Sequence, residues 1–243
     1  PQELLATALQ WQAQIGEVGF SELAPAIVAA SRTPDLSQIE QLVGAAGVVG
    51  APDIEPGVVE SLREGAPWEC AIHDARALRQ KIGNVRAPLS DRTLYELLGV
   101  RGQDVSKWAA STERAPAAVA AVAIPMNDRR LRLIPRRRSS AGRRFELARF
   151  MGEYLFLASQ EQGWLVSTDL STFHQKYQRA FAAEFLCPID SLMSFLSGDF
   201  TSYAIQEAAA EFSVSELTVT NLLLSHGCIS QACGDGLPYR VVS

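Results

Sequence analysis

With 243 residues, 47% of them hydrophobic and 20% charged, the chain has ordinary globular composition and enough length for one large domain or two small ones. A net charge of -5 argues against a protein that binds nucleic acid through its overall charge and leaves only a local patch for that role. The longest apolar stretch, Ala115 to Met126, is interrupted by Pro125 and falls well short of the roughly 20 residues of a spanning helix, so no membrane span is expected.

The chain opens on Pro1-Gln2-Glu3 without an initiator Met, a basic start or an apolar signal core, and is expected to be a piece of a longer protein. Cys70, Cys187, Cys228 and Cys233 are scattered through a chain too large to depend on staples, which fits a reducing compartment and a cytoplasmic location. His226, Cys228 and Cys233 lack a second pair at finger spacing, so no metal is expected there.

Residues 1–66 read as a helical N-terminal segment of short helices, with Ser37 and Glu40 spaced as a capping box ahead of Ile39, Leu42 and Val43. Gly50-Ala51-Pro52 and Gly65-Ala66-Pro67 are breaks, and the second sets a domain boundary near 66. From Pro67 a helix carries Trp68, Ala71, Ala75, Leu78 and Ile82 and stops at Gly83. Ser90 caps a second short helix that ends before Gly99.

Ala118 to Ile124 and Leu131 to Ile134 flank Pro125-Met126-Asn127-Asp128 and predict two strands joined by a turn, the only substantial sheet. A long helix follows from about Arg143, another ends before Pro188, and a three-segment helical tail runs from Ile189 to Gly227. The predicted class is α+β, mostly helical.

The run Arg143-Arg144-Phe145-Glu146-Leu147-Ala148-Arg149-Phe150-Met151-Gly152-Glu153-Tyr154-Leu155-Phe156 leaves almost no polar face beyond its first turn, as a central buried helix does. It resembles the active-site helix of the ImmA/IrrE family of zinc-peptidase-like regulators, in which an R-R-F-x-L-A lead passes into H-E-x-G-H and an apolar tail. Phe181-Ala182-Ala183-Glu184-Phe185-Leu186-Cys187-Pro188 is similar to the family's F-A-A-E-L-L-M-P block. Pro67-Trp68-Glu69 leading to Ala77-Leu78-Arg79 and Gly83 also looks like the family's opening helix. The resemblance covers roughly residues 67 to 230 and implies a zincin-like central helix against a small sheet, with residues 67–243 forming a pseudo-peptidase domain.

H-E-x-x-H chemistry needs two imidazoles one helical turn apart on zinc and the intervening glutamate as general base. The matching positions hold Arg149, Phe150 and Glu153. Arginine stays protonated and cannot ligate zinc, phenylalanine cannot accept a proton, and Glu153 could supply a single oxygen. The family's third ligand is an acid just before the F-A-A block, where His174-Gln175-Lys176-Tyr177-Gln178-Arg179 has none. Neither a catalytic residue, a metal nor another cofactor is therefore assigned. Because Arg149 and Glu153 lie four residues apart, the spacing predicts that they pair where the family holds its metal.

Nine arginines lie between Arg129 and Arg149. Arg136, Arg137, Arg138, Arg143 and Arg144 are the candidate anion-binding residues, since clustered guanidiniums suit phosphate forks. The simpler reading, charge guarding a solvated edge strand and loop, is favoured because no aromatic residue interleaves the run. Ala204 to Ser225 resembles a helix-turn-helix with Ser213 or Ser215 as the second cap, although its second helix offers Glu216, Leu217, Thr218, Thr220 and Asn221 and no cation.

The expected function is a non-catalytic regulatory module, as the resemblance implies in bacterial transcription or stress regulation, that binds a protein partner or a small anionic ligand. A DNA-binding regulator and a metallopeptidase with rebuilt ligands are the alternatives.

Overall fold

A computed structural model describes residues 2–31, 35–54, 65–111, 119–137, 139–157, 163–231 and 239–241. Three helices come first: α1 (Gln2–Ile15), α2 (Glu17–Ser31) and α3 (Ser37–Gly44). The cap of α3 differs from the expected box. Ser37 is the first helical residue, and the carboxylate of Asp35 accepts from its backbone N–H at 3.1 Å and its hydroxyl at 2.6 Å. An ionised acceptor makes the stronger bond.

Strand β1 (Val48–Gly50) is followed by α4 (Pro67–Lys81), α5 (Asp91–Leu97) and α6 (Gly102–Ala110). Gly83, just beyond α4, sits at φ +67° and Gly99, beyond α5, at +61°, the left-handed end that glycine allows without strain. Ser90 caps α5 by accepting from Thr93 N at 3.0 Å.

Strands β2 (Ala121–Pro125) and β3 (Leu131–Ile134) form the expected hairpin, closed by Met126 N to Arg130 O at 2.7 Å. Beyond them come α7 (Ser140–Leu157), β4 (Leu165–Ser167) and α8 (Phe173–Leu186). The tail is α9 (Ile189–Leu196), α10 (Ser202–Glu211) and α11 (Glu216–Ser225), and then a small hairpin of β5 (Ile229–Gln231) and β6 (Tyr239–Val241).

The main sheet is antiparallel, in the order β1-β3-β2-β4. Alternation along each strand sends Ala121, Ala123, Leu131, Leu133 and Leu165 to the core beneath α4, α7 and α8. Val122, Ile134 and Val166 face the opposite way and pack with Ile15, Leu23, Ile27, Ile39 and Leu42 of the first three helices. The β2 run is apolar at every position because both its faces are covered. Residues 48–50 therefore belong to the sheet, whereas the sequence reading placed them in a helical segment ahead of a break. The class is α+β and mostly helical.

Helix α7 lies in the centre. Its Gly152 allows close approach to α8, since a Cβ there would stand 2.7 Å from Cγ of Phe181. No helix among the described residues is long and apolar enough to cross a membrane.

Candidate functional site

The turn of α7 that carries the resemblance is built into the interior. Phe150 is part of the main core. Arg149 is 3% exposed, and its Nη2 donates to the carbonyl of Thr168 at 2.9 Å and to Oε1 of Gln175 at 2.5 Å. Glu153, also buried, takes Nδ1 of His174 on Oε1 at 2.9 Å, while its Oε2 has no partner.

The predicted pair between Arg149 and Glu153 is therefore absent. Arginine before glutamate is the weaker order for a helical pair. The long Arg149 side chain reaches the acceptors of the β4–α8 loop, and Glu153 meets the imidazole on the first turn of α8.

This junction is knitted by buried polar side chains. Oε1 of Gln175 also accepts from Thr168 N at 2.6 Å, and the side-chain amides of Gln175 and Gln178 both donate to Val166 O at 2.9 Å. Tyr177 donates to Oδ2 of Asp74 at 2.7 Å, and the other oxygen of Asp74 lies 3.1 Å from Nδ1 of His73. Thr172 donates to Glu22 at 2.8 Å and ties the start of α8 to α2.

Electrostatics follow from this burial. Desolvation first, then the like charges of Arg179 and Arg136, lower the Arg149 pKa to about 9. Burial also lowers Arg179, despite Asp169 and Glu22 nearby. For His174, burial pulls the pKa down, but the hydrogen bond and charge of Glu153, helped by Glu22, outweigh it and leave it raised. Burial and the neighbouring Asp74 carboxylate push Tyr177 far up, so its phenol stays a donor.

Among the described residues no three His, Cys, Asp or Glu side chains are placed to share a metal ion, and Glu153 with His174 makes only a pair. The described residues thus do not fit a zinc centre, which needs at least three protein ligands. Cys233, the third member of the weak His226 and Cys228 set, lies outside the described residues.

The basic run divides into separate roles. Arg136 reaches Glu146 at 3.1 Å, Asp169 at 2.5 Å and the carbonyl of Val119 at 3.1 Å. Buried Glu146 also accepts the backbone N–H groups of Arg136 and Arg137, at 2.8 and 2.9 Å. Arg137 is more exposed and shares Asp169 at 3.3 Å. Arg144 is buried against Asp91 and the carbonyl of Leu89, and Arg143 is partly buried with partners of its own. Arg138 lies outside the described residues. Arg136 and Arg144 thus hold the β3–α7 connection and the start of α5, and are not presented together on a surface. Arg179, outside the run, is the largest like charge acting on Arg149 and bonds the same loop; nothing in its local sequence marked it.

In the tail, α10 and α11 are joined by a short turn. Ser213 occupies the turn at φ +52°, and Ser215 caps α11 by accepting from Thr218 N at 3.1 Å. No Lys or Arg occurs from residue 180 to 239, whereas Asp190, Asp199, Glu207, Glu211 and Glu216 lie on or beside the tail helices. An open cleft of about 460 Å³ runs between the starts of α5, α7 and α11, lined in part by Asp91, Arg144, Gln206 and Glu216. Its one cation is already paired with Asp91, and Glu216 adds negative charge, so its lining does not favour an anion. No family model matches the chain, and neither a curated protein nor a solved structure does.

Proposed function

We propose that the chain is a non-catalytic relative of the ImmA/IrrE zinc-peptidase-like regulators. It acts as a cytoplasmic regulatory module in bacterial transcription or stress regulation and binds a protein partner or a small anionic ligand. One observation carries the reading. The turn of α7 where the motif would place two histidines and a glutamate holds Arg149, Phe150 and Glu153, each committed to packing or to a partner inside the fold. A guanidinium and a phenyl ring offer neither a metal ligand nor a general base. Retained framework residues around a lost reaction centre favour binding over cutting.

Elemental analysis of purified protein, with peptide hydrolysis followed with and without chelator, tests this. Purified protein should carry no stoichiometric zinc, show no chelator-sensitive cleavage and keep its Tm on chelation. One zinc per chain, lost together with the fold on chelation, would overturn the reading and favour rebuilt ligands.

The shape of α10 and α11 favours a second reading, a DNA-binding regulator. The charge of the tail opposes it, since recognition helices draw on cationic support for phosphate contacts. An affinity for duplex DNA that falls steeply with salt would favour this alternative.

A further inference from the structure

Arg149 and Arg179 differ from Arg136, Arg144 and Arg79, and unlike Arg132, which among the described residues likewise contacts no carboxylate and donates to the carbonyl of Val43, they meet on one loop. Arg136 and Arg144 each touch a carboxylate. Arg79 touches none, but its donors are taken by the carbonyls of Val85, Phe185 and Ala87 and by the side chain of Asn84. Arg149 donates through Nη2 alone, and its Nε has no acceptor. Among the described residues Arg179 makes one bond, from Nη1 to the carbonyl of Leu170 at 2.9 Å. Among the described residues neither guanidinium contacts a carboxylate.

Both guanidiniums grip one loop, at carbonyls two residues apart. The acids nearby are already engaged: Asp169 by Arg136 and Arg137, Glu146 by Arg136 and two backbone amides, and Glu22 by Thr172. Two like charges thus share a partly dry setting, and Arg179 is the largest like charge acting on Arg149. Arg179 is only partly buried, and Asp169 and Ser171 of the loop are exposed, so solutes have access from that side.

We propose that the loop from Thr168 to Thr172, flanked by Arg149 and Arg179, binds a small oxyanion, a phosphate or carboxylate group. Guanidinium forks match the oxygen spacing of both groups. An oxyanion accepts from the donors that Leu170 leaves over on Arg179 and offsets the repulsion between the two cations, while the buried Nε of Arg149 lies out of its reach. The assignment rests on reading the chain as a binding module. It fails separately, because zinc content and cleavage decide that reading and anion titration decides this one.

The test is thermal denaturation and isothermal titration calorimetry of the whole chain with inorganic phosphate and, separately, acetate, at ionic strength held constant with sodium chloride. A saturable rise in Tm with at least one anion is expected, and which anion acts distinguishes phosphate from carboxylate. Arg179→Gln should raise the Kd about ten-fold, the loss of one charge-assisted bond. Should that variant fail to fold, Arg179→Met, which also removes the charge while keeping an unbranched stem, gives the same comparison. Absence of a saturable effect with both anions, or an effect unchanged in the variant, overturns the proposal.

Discussion

Replacing His174 by Ala removes the only hydrogen-bond partner, among the described residues, of a buried carboxylate. Glu153 is 2% exposed, its Oε1 accepts from His174 at 2.9 Å and its Oε2 is unpartnered. Breaking a buried pair by deleting one member costs about 3–5 kcal/mol. The His174 side chain is 22% exposed, so water enters the space and recovers part of that cost. The loss of the edge contact with Phe156, whose centroid is 5.5 Å away, adds about 0.5–1 kcal/mol. A net destabilisation of about 2–3 kcal/mol is expected.

Replacing both residues, His174→Ala with Glu153→Leu, should cost at least about 1 kcal/mol less than the sum of the singles, because no stranded carboxylate remains. The effect should depend on pH. A raised histidine pKa contributes stability that is full below the unfolded value of about 6.5 and is lost as pH rises through the folded value. The destabilisation by His174→Ala should therefore shrink from about pH 6 to about pH 9. Urea denaturation of the four proteins followed by circular dichroism at both pH values measures all of this. Additive single effects, or a destabilisation that grows with pH, would refute the reasoning.

Gly152→Ala should destabilise by about 2 kcal/mol in the same assay, the overpacking cost exceeding a helix-propensity gain of about 1 kcal/mol. The new Cβ meets the Phe181 ring, which is stacked between Tyr177 and Phe185 and has little room to turn; an unchanged or higher midpoint would contradict the close approach of α7 and α8. Glu146→Ala should cost about 3 kcal/mol, since it strands two backbone N–H groups and a guanidinium donor. Glu146→Gln, which keeps one acceptor oxygen, should recover part of that loss, and equal midpoints for the two variants would argue against Glu146 as the clasp of the β3–α7 connection.

What was legible in the sequence was local. Ser90, Gly83 and Ser215 announce helix ends because a cap bonds within its own turn. The apolar runs around Pro125 announce a hairpin for the same reason. Val48-Val49-Gly50 and Leu165-Val166-Ser167 are too short to show a period, and they become strands only by pairing with β3 and β2. At the site, helical spacing pointed to Arg149 with Glu153, whereas both partners come from elsewhere in the chain. Arg136 and Arg144 read as surface charge because their acids, Asp169 and Asp91, lie 33 and 53 residues away. Composition counts charges but cannot show which are already neutralised.

The same junction bears on how a fold of the proposed ancestry could dispense with its metal. Ligands drawn from separate elements make a bound metal a cross-link, and its binding free energy is folding free energy. Here α7 is cross-linked to α8 by Glu153 with His174 and by Arg149 with Gln175, while α8 is tied to α4 by Tyr177 with Asp74. Phe150, where the resemblance would place the base, adds apolar surface to the core. Buried polar bonds of this kind contribute modestly to net stability, because desolvation offsets most of their strength, but leaving one member unpaired is costly. They therefore fix the register of the three helices more than they stabilise them. Arg149, like Arg79, is a buried charge without a contacting acid among the described residues, but where Arg79 fills its donors with carbonyls and Asn84, Arg149 leaves its Nε without an acceptor. Its two bonds to Thr168 and Gln175 use one nitrogen of the guanidinium and leave its charge without a contacting acid, which is the physical reason to look for the ligand of Arg149 and Arg179 beside the β4–α8 loop.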